Sequence, residues 1–271
     1  MRILRLSIVV LASLGLAGCL QSSTLIHVDD DGSGTIEVRL LFTGATLAQL
    51  RGPDPFGGGD SQEVDPIPEN QAREAASSMG PGVTYVASIP IAEGDAQGRA
   101  MVYAFTDINR VRITEQPPAP GGAILRGQGA DTGDGRAIAF ALARQPDGNL
   151  LLRITVPQAN APPADTPVQT DDAPPSSSEQ IETIKRLFAG AHLSIAVEPS
   201  GRLVRTSSPF VEGRRVTLLD LDFDQAIEDE AVALRLQGVE NVDAAKAALK
   251  DVPGMKITFD REITIEFAPE N

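Results

Sequence analysis

Residues 24–42 read TLIHVDDDGSGTIEVRLLF. Ile36, Val38 and Leu40 alternate with Glu37 and Arg39, the period-two pattern of a strand with one buried face. Residues 24–28 supply a second apolar strand. The Asp29-Asp30-Asp31-Gly32-Ser33-Gly34 run between them is turn chemistry, because Asp side chains hydrogen-bond nearby backbone and Gly accepts left-handed backbone. An antiparallel hairpin is predicted, which makes this region β rather than helical.

The same grammar recurs along the chain. Strands are predicted at 83–89 and 99–105 around an exposed Glu93-Gly94-Asp95 turn. Residues 136–144 and 150–156 form a hairpin around Pro146-Asp147-Gly148-Asn149. Further strands are expected at 191–197, 202–207, 214–221, 255–260 and 262–267, with the turn Glu198-Pro199-Ser200-Gly201 joining the first two of these. Helices are fewer. One covers 68–79, with Ala72, Ala75, Ala76 and Met79 on one side, and ends at Pro81-Gly82. A second, 179–188, has Ser178 as its N-cap. A third, 242–249, ends at Pro253-Gly254, and a helical turn starts near Asp224. Strand runs with a few intervening helices indicate an α+β fold: a twisted antiparallel sheet with its helices on one face. Its core is expected from Ile138, Phe140, Leu142, Leu150, Leu152, Ile154, Ile195, Val197, Val216, Leu218, Ile257, Phe259, Ile263, Ile265 and Phe267.

Residues 51–65 and 116–135 are rich in Gly and Pro and lack periodicity. Residues 157–178, a run of Pro, Ala, Asp, Thr and Ser, read as a linker or disordered insert. The chain therefore divides into residues 1–18, an α+β region at 19–156, the insert, and a second α+β region at 179–271 that can share one domain with the first. A helix, Pro-Gly, strand order at 72–85 repeats at 244–257 and hints at two related halves.

The N-terminus carries Arg2 and Arg5, then an apolar run from Leu6 to Leu16, then small residues and the single cysteine of the chain, Cys19. The run is about half of the ~20 apolar residues a membrane span needs, so it reads as an export signal. Leu16-Ala17-Gly18-Cys19 resembles the lipobox of bacterial lipoproteins. That resemblance implies cleavage before Cys19 and acylation of Cys19, with residues 21–23 as a short polar tether. Leu20, rather than Asp, follows the cysteine, and by analogy with lipoprotein sorting this favours the outer membrane, facing the periplasm.

The net charge of −14 argues against nucleic acid and against electrostatic docking on anionic lipid. Acyl chains would have to supply the anchoring, and two or three of them hold far more firmly than one. With Cys19 acylated no disulfide is available, so the fold rests on its apolar core. Trp is absent and Tyr occurs twice, which leaves few stacking platforms for sugars or bases.

Each apparent site has a structural alternative. Asp29, Asp31, Ser33, Gly34 and Ile36 follow the spacing of a calcium-binding EF-hand loop, but its twelfth position is Leu40 rather than a bidentate Glu. An acidic hairpin turn is the expectation. His27 and His192 have no second ligand at zinc spacing, and no Gly-x-Ser-x-Gly elbow occurs. Asp220, Asp222 and Asp224 alternate in a manner open to a metal site or a glycosidase pair. They are expected to face solvent while Leu219, Leu221 and Phe223 face the core. Gly127-Gln128-Gly129 does not sit between a strand and a helix, as a nucleotide loop would. No catalytic residue, metal ligand or cofactor is predicted.

A wider resemblance rests on the order acylated cysteine, strand, Asp31-Gly32-Ser33-Gly34 turn, strand, and later glycine-turn strands. Residues 28–42 and 193–221, with Ser200-Gly201, Thr206-Ser207 and Glu212-Gly213, are similar to bacterial lipoproteins of the LppM type. The resemblance implies an α+β periplasmic domain that holds a hydrophobic ligand, and it assigns no functional residues. The expected function is a membrane-anchored periplasmic lipoprotein with a non-catalytic binding or envelope-structural role. Its partners would be membrane lipid through Cys19 and a hydrophobic ligand or envelope protein. The alternative is a periplasmic hydrolase whose site is assembled across the fold.

Overall fold

The computed structural model describes residues 20–43, 47, 65–114, 137–157, 189–227, 249 and 252–270. The quoted stretch forms the predicted hairpin. Strand β1 (Leu20–Val28) pairs antiparallel with β2 (Gly34–Phe42) in unbroken register from Leu20 opposite Phe42 to Val28 opposite Gly34. Ile26, Val28, Ile36, Val38 and Leu40 point inward, while Glu37 and Arg39 point out. The turn is closed by Asp29 N–H to Ser33 O at 2.8 Å and Gly32 N–H to Asp29 O at 3.1 Å. Gly32 takes φ of +87°, a value that favours glycine.

Two strands follow the helical segment. Helix α1 (Glu69–Ala75) and a 3-10 turn over Ala76–Met79 occupy the span predicted to be helical. Strands β3 (Val83–Glu93) and β4 (Ala96–Phe105) form a longer hairpin than expected around Gly94, and β4 pairs with β2. A 3-10 turn, Ile108–Arg110, leads to β5 (Arg112–Thr114). Strands β6 (Ala137–Arg144) and β7 (Leu150–Thr155) make the predicted hairpin. Then come β8 (His192–Pro199), β9 (Arg202–Thr206), β10 (Val211–Glu212), β11 (Arg215–Asp222), a short helix α2 (Phe223–Ile227), β12 (Met255–Ile257) and β13 (Glu262–Ala268).

The fold is mostly β, and its strands divide between two sheets rather than one. The larger has eight strands in the order β10-β11-β8-β1-β2-β4-β3, with β12 also paired to β11. The smaller has five, in the order β5-β6-β7-β13-β9. The larger sheet is mixed, which corrects the antiparallel expectation: β1 and β8 run parallel, Gln21 opposite His192 through Val28 opposite Pro199. A local hairpin enforces antiparallel pairing, but these two strands are joined through most of the chain and either direction is open to them. Strands from before and after residues 157–178 meet in both sheets, since β1 pairs with β8 and β7 with β13.

One apolar cluster joins the inner faces of the two sheets. Ile26, Ile36, Leu40, Met101 and Tyr103 of the larger meet Leu152, Ile154, Ile263, Ile265 and Phe267 of the smaller. Most of the predicted core is buried there, whereas Leu142, Ile257 and Phe259 are only half-buried. Helix α1 joins this core through Ala72 and Ala75. The tether reading of residues 21–23 is corrected. They belong to β1, with Ser22 and Thr24 buried, because neighbours on both sides satisfy their backbone groups. The predicted helices at 179–188 and 242–249, apart from Leu249, lie outside the described residues, as do nearly all of 51–65 and of the insert, and the whole of 116–135.

Candidate functional site

Strand alternation gives the larger sheet two unlike faces. Arg99, Met101, Tyr103 and Phe105 share parity on β4 and all face inward. Arg99 is 6% exposed and fully engaged. Its Nε donates to Ile67 O at 2.6 Å, one terminal nitrogen donates to Ser88 Oγ at 2.7 Å, and the other binds the Asp65 carboxylate. A guanidinium is tolerated in a core only with such acceptors around it. Tyr103 donates to Ala72 O at 2.8 Å and packs edge-on to Tyr85, with ring centroids 6.1 Å apart. Burial, and secondarily the neighbouring Tyr85, push the Tyr103 phenol up to about 12.

The outer face carries both histidines, one toward each end of β1. His192 pairs with Gln21 near the start of β1, and its Nε2 lies 2.8 Å from Asp220 Oδ1. An ionised carboxylate only accepts, so Nε2 carries the hydrogen. Lys256 Nζ stands 3.3 Å from Asp220 Oδ2. His192 is 43% and Asp220 27% exposed, so this is a surface ion network. His27, at the other end, lies 3.5 Å from Glu37. It borders an open cleft of about 240 Å³ with Asp29, Glu198, Arg214 and Glu270. Arg214 bridges that cleft: it binds Ser200 O, meets Glu270 Oε1 at 2.9 Å and stands 3.7 Å from Glu198.

The three aspartates do not converge. Asp220 serves His192 and Lys256, Asp222 accepts from Gln225 N–H at 3.1 Å, and Asp224 accepts from Gly190 N–H at 2.8 Å. A register shift between Thr217 and Leu219 leaves Leu218 buried, and α2 then turns Asp224 off the strand. In the β1–β2 turn Asp29 takes part through its backbone and Asp31 through its side chain. Asp31 Oδ1 accepts from Ser33 N–H at 2.8 Å. The Ser33 hydroxyl first, then this N–H, hold the Asp31 carboxyl below its ordinary range. Among the described residues no three His, Cys, Asp or Glu side chains gather as metal ligands would, and no helix is long and apolar enough to cross a membrane.

Cys19 and Gly127-Gln128-Gly129 lie outside the described residues. Cys19 is nevertheless one peptide bond from Leu20, the first residue of β1. The sequence reading missed Arg99 and the His192–Asp220 pair. The parity of Arg99 with Met101, Tyr103 and Phe105 was the available signal for the first.

No protein-family model matches the chain, and no curated protein matches it. Among solved structures, the folded domain of LppM from Mycobacterium tuberculosis aligns over 94% of this chain and 92% of its own, at 10% identity and a TM-score of 0.33. A superposition that loose carries no argument about fold or function.

Proposed function

We propose that the protein is a lipid-anchored lipoprotein of the cell envelope, acylated at Cys19, with a non-catalytic binding or structural role. The observation that carries this reading is an adjacency. An export signal ending in Leu16-Ala17-Gly18-Cys19 stops one residue before a strand that lies inside the larger sheet. An acylated Cys19 would thus hold β1 directly at a membrane, since the strand begins at the next residue, Leu20. The non-catalytic role is supported by the way the polar groups are spent: His192, Asp220, Asp222, Asp224 and Arg99 each serve a partner within the fold. By the sorting analogy, Leu20 after the cysteine directs the chain to the outer membrane, facing the periplasm.

Replacing Cys19 tests the anchor. Cys19→Ser is expected to accumulate as unprocessed precursor that takes up no palmitate. If the variant incorporates palmitate and fractionates as the parent does, the reading fails.

A further inference from the structure

The register of the larger sheet fixes which of its parts share a level with Cys19. Leu20 stands opposite Phe42, Phe42 opposite Gln97, and Gln97 opposite Ala92. The next level toward the turn end is Gln21, Leu41, Gly98 and Ile91. Ile89 lies two residues further, level with Ala100, Arg39 and Ser23. The end of edge strand β3 therefore sits beside the start of β1, about 14 Å away across three strand spacings of ~4.8 Å.

That end of β3 reads Ile89-Pro90-Ile91-Ala92, an apolar run on the surface. Ile89 is 62% exposed, the highest value among the exposed large apolar side chains of the described residues, and Pro90 and Ala92 are exposed as well. Two features work against covering the strip with another strand. Proline lacks the N–H that edge pairing needs, and a register shift between Tyr85 and Ala87 bends the edge. Arg39 binds Glu93, the carboxylate nearest the strip, and so offsets its charge.

We propose that this strip is a membrane contact: Ile89, Pro90, Ile91 and Ala92 rest in the headgroup region of the bilayer that holds Cys19. The proposal rests on the acylation of Cys19 set out above. A Cα–Cα step of about 3.8 Å separates Cys19 from the sheet, so acyl chains in the bilayer bring the β1 end of the sheet against its surface. A long tether would leave the domain free to tumble, whereas here the sheet stands with one end down and the strip lies at that end. Net-neutral, zwitterionic lipid suits the acidic chain.

The test uses full-length protein processed in its own cell envelope. Because the single cysteine is consumed by acylation, an introduced cysteine is the one reactive thiol. Ile89→Cys, Ala92→Cys and Thr84→Cys are each labelled with an environment-sensitive maleimide dye and placed in phosphatidylcholine vesicles with a nitroxide at headgroup depth. Thr84 is an exposed control on the same strand, level with His27 and so about 23 Å from the Leu20 level at ~3.3 Å per residue. Dye at Ile89→Cys and Ala92→Cys is expected to shift to the blue and lose most of its emission to the quencher, while dye at Thr84→Cys does neither. If the intact mass shows acyl chains and the protein floats with vesicles, yet the three positions respond alike, the strip is not a membrane contact and the anchor reading stands. A blue shift at Ile89→Cys that grows with the protein-to-lipid ratio would identify a second copy as the occupant and overturn the proposal. Protein of unmodified mass that does not float would overturn the anchor reading and this proposal together.

Discussion

Arg99 and Arg39 occupy neighbouring strands one residue out of step, Arg39 opposite Ala100 and Leu40 opposite Arg99. That single step sends them to opposite faces. Arg99 has a side chain 7% exposed and binds a carbonyl, a hydroxyl and a carboxylate. Arg39 is 52% exposed and has Glu93 as its ion-pair partner. The same charged group is thus a fixed part of the interior on one face and a solvated ornament on the other. The difference lies in the segment before α1, where Asp65 and Ile67 O come down onto the inner face and supply acceptors. A buried guanidinium without them would cost several kcal/mol.

Removing Arg99 should break this contrast most severely. Arg99→Ala leaves Ile67 O and Asp65 Oδ2 without the donor they share, and a loss of about 3 kcal/mol is expected in urea unfolding. A loss below about 1 kcal/mol would put Arg99 on a par with an exposed pair. Tyr103→Phe probes the same interior more gently. It deletes the bond to Ala72 O, worth about 1 kcal/mol at neutral pH. It also has a pH signature. The folded phenol titrates at about 12 and an unfolded one near 10, so the unfolded chain releases its proton first as pH rises. The stability this tyrosine contributes is complete below about pH 10 and falls away between 10 and 12. The Phe variant should lose that alkaline slope, and a slope equal to the parent's would assign it elsewhere.

On the outer face the effects shrink. Arg39→Ala should lower the unfolding free energy in urea by no more than about 0.5 kcal/mol, and less in high salt. A loss comparable to that of Arg99→Ala would erase the distinction between the faces. Asp31→Asn should be the smallest change. The lowered Asp31 carboxyl contributes stability at pH values above the unfolded carboxylate range, and this is lost as pH falls through the lowered value. At neutral pH the variant should therefore unfold slightly before the parent, and the gap should close as pH falls through the lowered value. An NMR titration should place the Asp31 midpoint below that of an ordinary aspartate, and an unshifted midpoint would remove the Ser33 interaction from the account.

Much of the hairpin architecture was legible because it is local. Alternation in 35–42, 136–144 and 150–156 located strands and their buried positions, and the Asp-Gly turns located the reversals. What was not legible depends on partners distant in sequence. Residues 21–23 look like a polar linker until β8 arrives alongside them. The division into two sheets hinges on β13, which leaves β12 to join β7 and β9, and nothing within 262–268 announces that choice. His192 and Asp220 come together only through pairing of β8 with β11. The acylation proposed for Cys19 rests on its sequence neighbours alone and draws on no contact in the fold.

The central place of β1 also has a consequence for biogenesis. A chain made from its N-terminus delivers β1 and β2 early, but the strand that covers the other side of β1 begins at His192. Throughout that interval the hairpin has an uncovered edge at Ser22, Thr24 and Ile26, open to pairing with any extended chain. Closing such a distant contact is slow, since loop entropy is lost before the contact forms. Translation products that end before residue 192 should therefore be the aggregating species, and the complete chain should depend on holdase chaperones until β8 slides into place.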